Sequence, residues 1–130
     1  MTRNSAANMY SQMGTQTALE GASPYKLILM LYSGAQERLA IAKGHMLRGN
    51  IEGKADRINS AIRIIENLRS NLDFEKGGEI SSNLDALYDY MLMRLVQANI
   101  KNDPEIIDEV LGLIREVSSG WLAIKDQVEK

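Results

Sequence analysis

Seven apolar residues near the C-terminus, Ile107, Val110, Ile114, Val117, Trp121, Ile124 and Val128, recur in alternating steps of three and four. That rhythm keeps every one of them on a single face of a helix turning every 3.6 residues, whereas a strand, with its period of two, would scatter them over both faces. An amphipathic helix this long cannot bury its stripe alone, so the rest of the chain must supply matching faces.

Three further stripes answer that requirement. Ile28, Tyr32, Ala35, Leu39, Ala42 and Met46 define a helix over about 24–48, widened in its first turns by Leu27, Met30 and Leu31. Ala55, Ile58, Ile62, Ile65, Leu68 and Leu72, with Ala61 beside them, define a second over about 51–73. Ile80, Leu84, Leu87, Met91, Leu95 and Ala98 define a third over about 79–101, and the opening stripe belongs to a fourth over about 104–129. Ser23-Pro24 and Asp103-Pro104 are helix starts, with a capping oxygen followed by a proline whose missing N–H costs nothing in a first turn. Asn50 is a third cap, and Gly77-Gly78 permits a reversal after an acidic connection beginning at Asp73. Gly112 and Gly120 lie off the fourth stripe. Each costs about 1 kcal/mol against Ala, which predicts a close approach of another backbone at both. Similar helices joined by short connections give an all-α, antiparallel four-helix bundle. The domain covers 23–130, preceded by a polar N-terminal arm over 1–22. Met9, Tyr10 and Met13 stand out in the arm, either as incidental hydrophobes in a flexible tail or as a short amphipathic segment that docks as a cap.

Composition narrows the function. The 130 residues carry a net charge of −2 with acids and bases interspersed, which argues against a nucleic-acid partner. No cysteine is present, so thiolate chemistry and disulfides are excluded. The first twenty residues hold no apolar signal core, and the longest apolar run, Leu27 to Tyr32, is far short of a membrane span. A cytoplasmic protein without membrane insertion is expected. The single histidine, His45, has Ala42 three residues before it, so the Glu-x-x-His pairs of a di-iron bundle are missing. His45 is expected to face solvent or meet the helix dipole. Asp103, Glu105, Asp108 and Glu109 crowd the start of the fourth helix, where carboxylates favour the dipole; the other reading is a metal site. The chain is therefore not expected to be an enzyme or to need a cofactor.

The helices carry more apolar residues than their main stripes. Ile64 lies beside the second stripe; Tyr88, Leu92 and Val96 form a second row on the third helix; Ile106 and Leu113 form one on the fourth. These rows either thicken the core or line a groove for a partner's helix.

Four stretches carry a resemblance: Ser23-Pro24-Tyr25-Lys26-Leu27-Ile28-Leu29-Met30-Leu31-Tyr32 with Ser33-Gly34-Ala35; Gly78-Glu79-Ile80-Ser81, Asn83-Leu84 and Leu87-Tyr88-Asp89-Tyr90-Met91; Arg94-Leu95, Ala98-Asn99 and Asp103; and Asp108-Glu109-Val110 with Trp121. In order and spacing they resemble the bacterial FliS family of flagellin-specific export chaperones, from Tyr10 to Trp121. Ser33 departs from the acidic residue usual there, which touches surface charge only. The resemblance implies a cytosolic bundle that binds the C-terminal helical segment of flagellin in apolar surface grooves. It implies that this blocks premature polymerisation and keeps the subunit ready for the flagellar type III export apparatus, with export-gate components as further partners. It also implies that the N-terminal segment, matched here by Tyr10 with Met9 beside it, covers part of that surface when flagellin is absent. A homodimer through the same groove is a further expectation. The competing reading is a regulatory or scaffolding bundle that binds a different bacterial protein.

Overall fold

The computed structural model describes residues 23–123. Helix α1 spans Pro24–Leu47, α2 Ile51–Ser70, α3 Phe74–Lys101 and α4 Pro104–Ala123. Met9, Tyr10, Met13 and the last turns of the fourth stripe lie outside the described residues.

The capping signals act as expected. The Ser23 hydroxyl accepts from the Lys26 N–H at 3.2 Å and Asn50 Oδ1 accepts from the Gly53 N–H at 2.9 Å. Asp103 Oδ1 accepts from the Glu105 N–H at 2.9 Å at the start of α4. The connection drawn at 73–78 proves different. Asp73 is itself an N-cap, accepting from the Lys76 N–H at 3.0 Å, so α3 begins at Phe74. The helix is then broken at Gly78, whose φ of 50° and ψ of −121° leave the helical region. The glycine pair therefore kinks a helix; the reversal itself falls at Asn71–Asp73.

Each helix packs against two others, α1 against α2 and α4, and α3 against α2 and α4. Cross-links between helices set their directions. Tyr25, in the first turn of α1, meets Trp121 near the end of α4, and Lys43, late in α1, pairs with Asp108 in the second turn of α4 at 2.9 Å. Arg69, at the end of α2, pairs with Asp85 at 2.7 Å and Asp89 at 3.1 Å near the middle of α3, and Lys54, in the first turn of α2, donates to the Asn99 carbonyl at 3.1 Å and to Asn102 Oδ1 at 3.0 Å at the end of α3. All sequential neighbours are antiparallel. The interior holds the main stripes, with Leu39, Ile58, Ile65, Met91, Leu95, Ile107 and Val110 fully buried.

The ring arrangement explains the second apolar rows. A helix flanked on two sides needs an arc wider than one stripe. Ile64 and Ile106 complete that arc and are sealed in the core. Tyr88 is buried as well, while Leu92 and Leu113 are half-buried against the core and Val96 is 48% exposed. For Ile64 and Ile106 the structure thus corrects the expectation of a partner-facing row.

Gly112 and Gly120 correct another expectation. A Cβ built at either would meet nothing within 4 Å. The close approach is instead at Gly53, where a Cβ would lie 2.9 Å from both Asn50 Nδ2 and His45 Cγ. His45 packs across the α1–α2 turn, and its Nδ1 lies 3.3 Å from Arg48 Nη2 and 3.3 Å from Asn50 Nδ2. Both neighbours are donors, so Nδ1 accepts and the ring serves as a turn brace.

Candidate functional site

Where α1 begins, α2 ends, α3 begins and α4 ends, the helices splay around a pocket of about 330 Å³. Its walls are Ile28, Leu31 and Tyr32 of α1, Leu68 and Leu72 of α2, Ile80, Leu84 and Tyr88 of α3, and Trp121 of α4. Asn71, Asp73, Lys76, Gly77 and Ser81 supply its polar edge. An apolar concavity with a few polar groups at its rim is suited to receiving apolar side chains.

Two contacts give this pocket its shape. The Tyr32 and Tyr88 hydroxyls, on diagonally opposed helices, share a hydrogen bond of 2.7 Å, and both side chains are buried. Burial pushes both phenols above their usual pKa; at Tyr88 the neighbouring Tyr32 adds to the effect, whereas at Tyr32 the hydrogen bond to Tyr88 partly offsets it. On the α4 side, Tyr25 and Trp121 stack with centroids 5.5 Å apart and planes 15° apart. The Tyr25 hydroxyl donates to the Trp121 carbonyl at 2.7 Å, and Trp121 Nε1 donates back to the Tyr25 carbonyl at 3.4 Å. The stack holds Trp121 in place while leaving part of the indole on the pocket.

A second apolar surface lies on the outward face of α3. Tyr90, Met93, Val96 and Ile100 are 38%, 51%, 48% and 79% exposed. Of the residues singled out from the sequence as groove-forming, Tyr88 lines the pocket and Val96 lies on this outer face, so the structure does not gather them into one groove. Ile80 was read as core and is 70% exposed at the pocket rim, because the break at Gly78 precedes it and Ser81 takes the inward position. A pocket made from four helix ends has no contiguous motif in the sequence.

The acidic run at the start of α4 disperses. Asp103 caps, Asp108 pairs with Lys43, and Glu109 accepts from the Tyr90 hydroxyl and from Arg94 Nε at 2.7 Å. Among the described residues, no three His, Asp or Glu side chains are placed to hold a metal ion. Nor, among the described residues, is any helix long and apolar enough to cross a membrane.

Comparison with known proteins gives this site its context. The profile of the family described as flagellar protein FliS matches residues 6–128. The flagellar secretion chaperone FliS of Vibrio cholerae is 46% identical over 112 residues, covering 86% of this chain and 82% of its own length. The flagellar secretion chaperone FliSB of Pseudomonas aeruginosa is 47% identical over 116 residues, covering 89% and 92%, and the FliS chaperone of Salmonella typhimurium is 43% identical over 121 residues, covering 92% and 90%. A family match across nearly the whole chain, with relatives this similar end to end, carries the conclusion that this four-helix bundle belongs to the FliS family of flagellar secretion chaperones.

Proposed function

We propose that this chain is a cytosolic export chaperone for flagellin. It binds the C-terminal helical segment of the newly made subunit, prevents its premature polymerisation and supports its delivery to the flagellar type III export apparatus, where export-gate components are further partners. The observation that carries the reading is the apolar pocket at the α2–α3 corner in a chain whose relatives are named flagellar secretion chaperones. A chaperone of this kind needs apolar concavities that accept side chains from a segment ordering as it binds, with ordering costing a few kcal/mol against the burial gained. The outer face of α3, which carries Val96, extends the surface over which such a segment can lie, and the half-buried Leu92 and Leu113 belong to the same proposal.

The N-terminal arm belongs to the same proposal. It enters α1 at the pocket end of the bundle, and Met9, Tyr10 and Met13 give it apolar groups for covering the pocket when flagellin is absent. Such a lid weakens apparent affinity by the fraction of time the pocket is open. The same exposed apolar surface supports self-association as a homodimer when flagellin is scarce.

Size-exclusion chromatography with light scattering, with and without a flagellin C-terminal fragment, tests the reading. A stable one-to-one complex is expected. The lack of any complex at micromolar concentration would exclude flagellin and favour a bundle that serves another partner.

A further inference from the structure

We propose that the Asp73–Gly77 turn is a hinged wall of the pocket, pivoting at Gly78 and latched by the Ser81 hydroxyl. The inference rests on the pocket being the seat of the partner segment and concerns how that seat is regulated.

The turn lines the pocket through Asp73, Lys76 and Gly77, together with Ile28 and Leu31 of α1 and Trp121 of α4. It is attached to the bundle differently from the other walls. Among the described residues, no hydrophobic side chain between Leu72 and Leu84 joins the core cluster. Phe74 is 52% exposed and Ile80 is 70% exposed. At its C-terminal end, Gly78 sits at φ 50°, ψ −121°, where only glycine is unstrained, and the helix kinks there.

One contact ties the turn back across this break. The buried Ser81 hydroxyl donates to the Asp73 carbonyl at 2.8 Å, the same oxygen that accepts from the Gly77 N–H at 2.8 Å. A Cβ on Gly77 would overlap Ser81 Oγ, so the latch closes only because that position is glycine. The two adjacent glycines thus have separate tasks: Gly77 makes room for the latch, and Gly78 is the pivot.

The movement changes what the pocket admits. The latched turn closes one side of a concavity of about 330 Å³, which suits it to side chains. Ile28, Leu31, Leu68, Leu72 and Trp121, which line it from α1, α2 and α4, pack with the core. Among the described residues the 73–77 turn brings no hydrophobic side chain to that core, and the Ser81 hydroxyl ties it back. Its outward swing widens the seat for the partner segment.

The chain has no cysteine and a single tryptophan, so a unique optical probe can be placed. Lys76→Cys labelled with bimane on the full chain puts a fluorophore that tryptophan quenches at short range on the pocket that Trp121 also lines. Ser81→Ala and Gly78→Ala are each expected to brighten it by opening the wall; for Ser81→Ala the open fraction should rise roughly two- to tenfold, the equivalent of one net hydrogen bond. Gly78→Ala is a pure backbone test, since its Cβ meets nothing within 4 Å. Gly77→Ala is expected to brighten the label in the native background and to add little once Ser81 is Ala. In calorimetry, Ser81→Ala is expected to tighten binding of a flagellin C-terminal peptide. Unchanged brightness in the Ser81 and Gly78 variants, or strictly additive effects of Gly77 and Ser81, would overturn the hinge. Brightening accompanied by weaker peptide binding would overturn its gating role. A peptide that binds none of the proteins, the native one included, fails the flagellin reading, while the label still decides the hinge.

Discussion

Tyr32 and Tyr88 join diagonally opposite helices through a hydroxyl–hydroxyl hydrogen bond of 2.7 Å in the buried interior, directly beneath the pocket. Replacing either by Phe leaves the other hydroxyl buried without its partner, which is expected to cost about 1–3 kcal/mol. Replacing both removes the pair together and is expected to cost less than the sum of the singles. Urea unfolding of the four proteins measures this coupling. Additive losses would mean that the bond contributes nothing specific.

The same pair predicts behaviour in alkali. Both phenols have folded pKa values raised above the ordinary tyrosine value, first by burial. The native state therefore retains protons that the unfolded chain releases above about pH 10. Their contribution is complete below that pH and is lost as pH rises toward the folded values. Thermal midpoints between pH 8 and 11 should fall in the native protein and fall less steeply in the Tyr32→Phe, Tyr88→Phe double variant.

Glycine substitutions should divide by surroundings. Gly112 and Gly120 lie within α4 with open space where a Cβ would sit, so Ala at either is expected to stabilise the protein by about 0.5–1 kcal/mol. Gly53→Ala would press against His45 and Asn50 across the α1–α2 turn and is expected to destabilise. Opposite signs in chemical denaturation are the expected outcome.

The helices were legible because their causes are local: a stripe at helical spacing, an oxygen that can cap, a proline that fits a first turn. Asp73 shows the limit of that reading. It satisfies the same capping rule as Ser23, yet the glycines four and five residues later point to a connection, and only the packed structure shows that a helical turn fits between them. Ile64 and Ile106 show a second limit. Whether an extra apolar row faces core or partner depends on how many neighbours its helix has, which no single helix encodes. The pocket is further out of reach, since it exists only where four helix ends meet. The outer face of α3 is visible in the sequence as Val96 beyond the main stripe; its exposure is not.

Glu109 staples α3 to α4 by accepting from Tyr90 and Arg94. The Tyr90 hydroxyl and then the Arg94 guanidinium hold its carboxyl below the usual range. Its contribution is present above the unfolded glutamate pKa, about 4.3, and is lost as pH falls through the lower folded value. Glu109→Gln should therefore lower the thermal midpoint at pH 7, with the difference closing toward pH 3. The side chain is 36% exposed, so the difference at pH 7 should be small and shrink in high salt. A difference independent of pH would assign the effect to packing.

Ile80 and Val96 separate the two surfaces on which a partner segment could seat. Both lie on α3 and both are exposed, at 70% and 48%, so Asp at either should change stability by no more than about 0.5 kcal/mol. Sixteen residues place them roughly 24 Å apart along the helix. Ile80→Asp puts a carboxylate on the rim of the apolar pocket, where a partner's apolar side chains would strip its water. It is expected to weaken binding of a flagellin C-terminal peptide at least about tenfold, or 1.4 kcal/mol. Val96→Asp charges the outer face and should weaken binding less, because Val96 does not line the pocket. Calorimetry on the two variants reads the difference directly. A larger loss at Val96 would move the principal seat of the partner from the pocket to the outer face of α3.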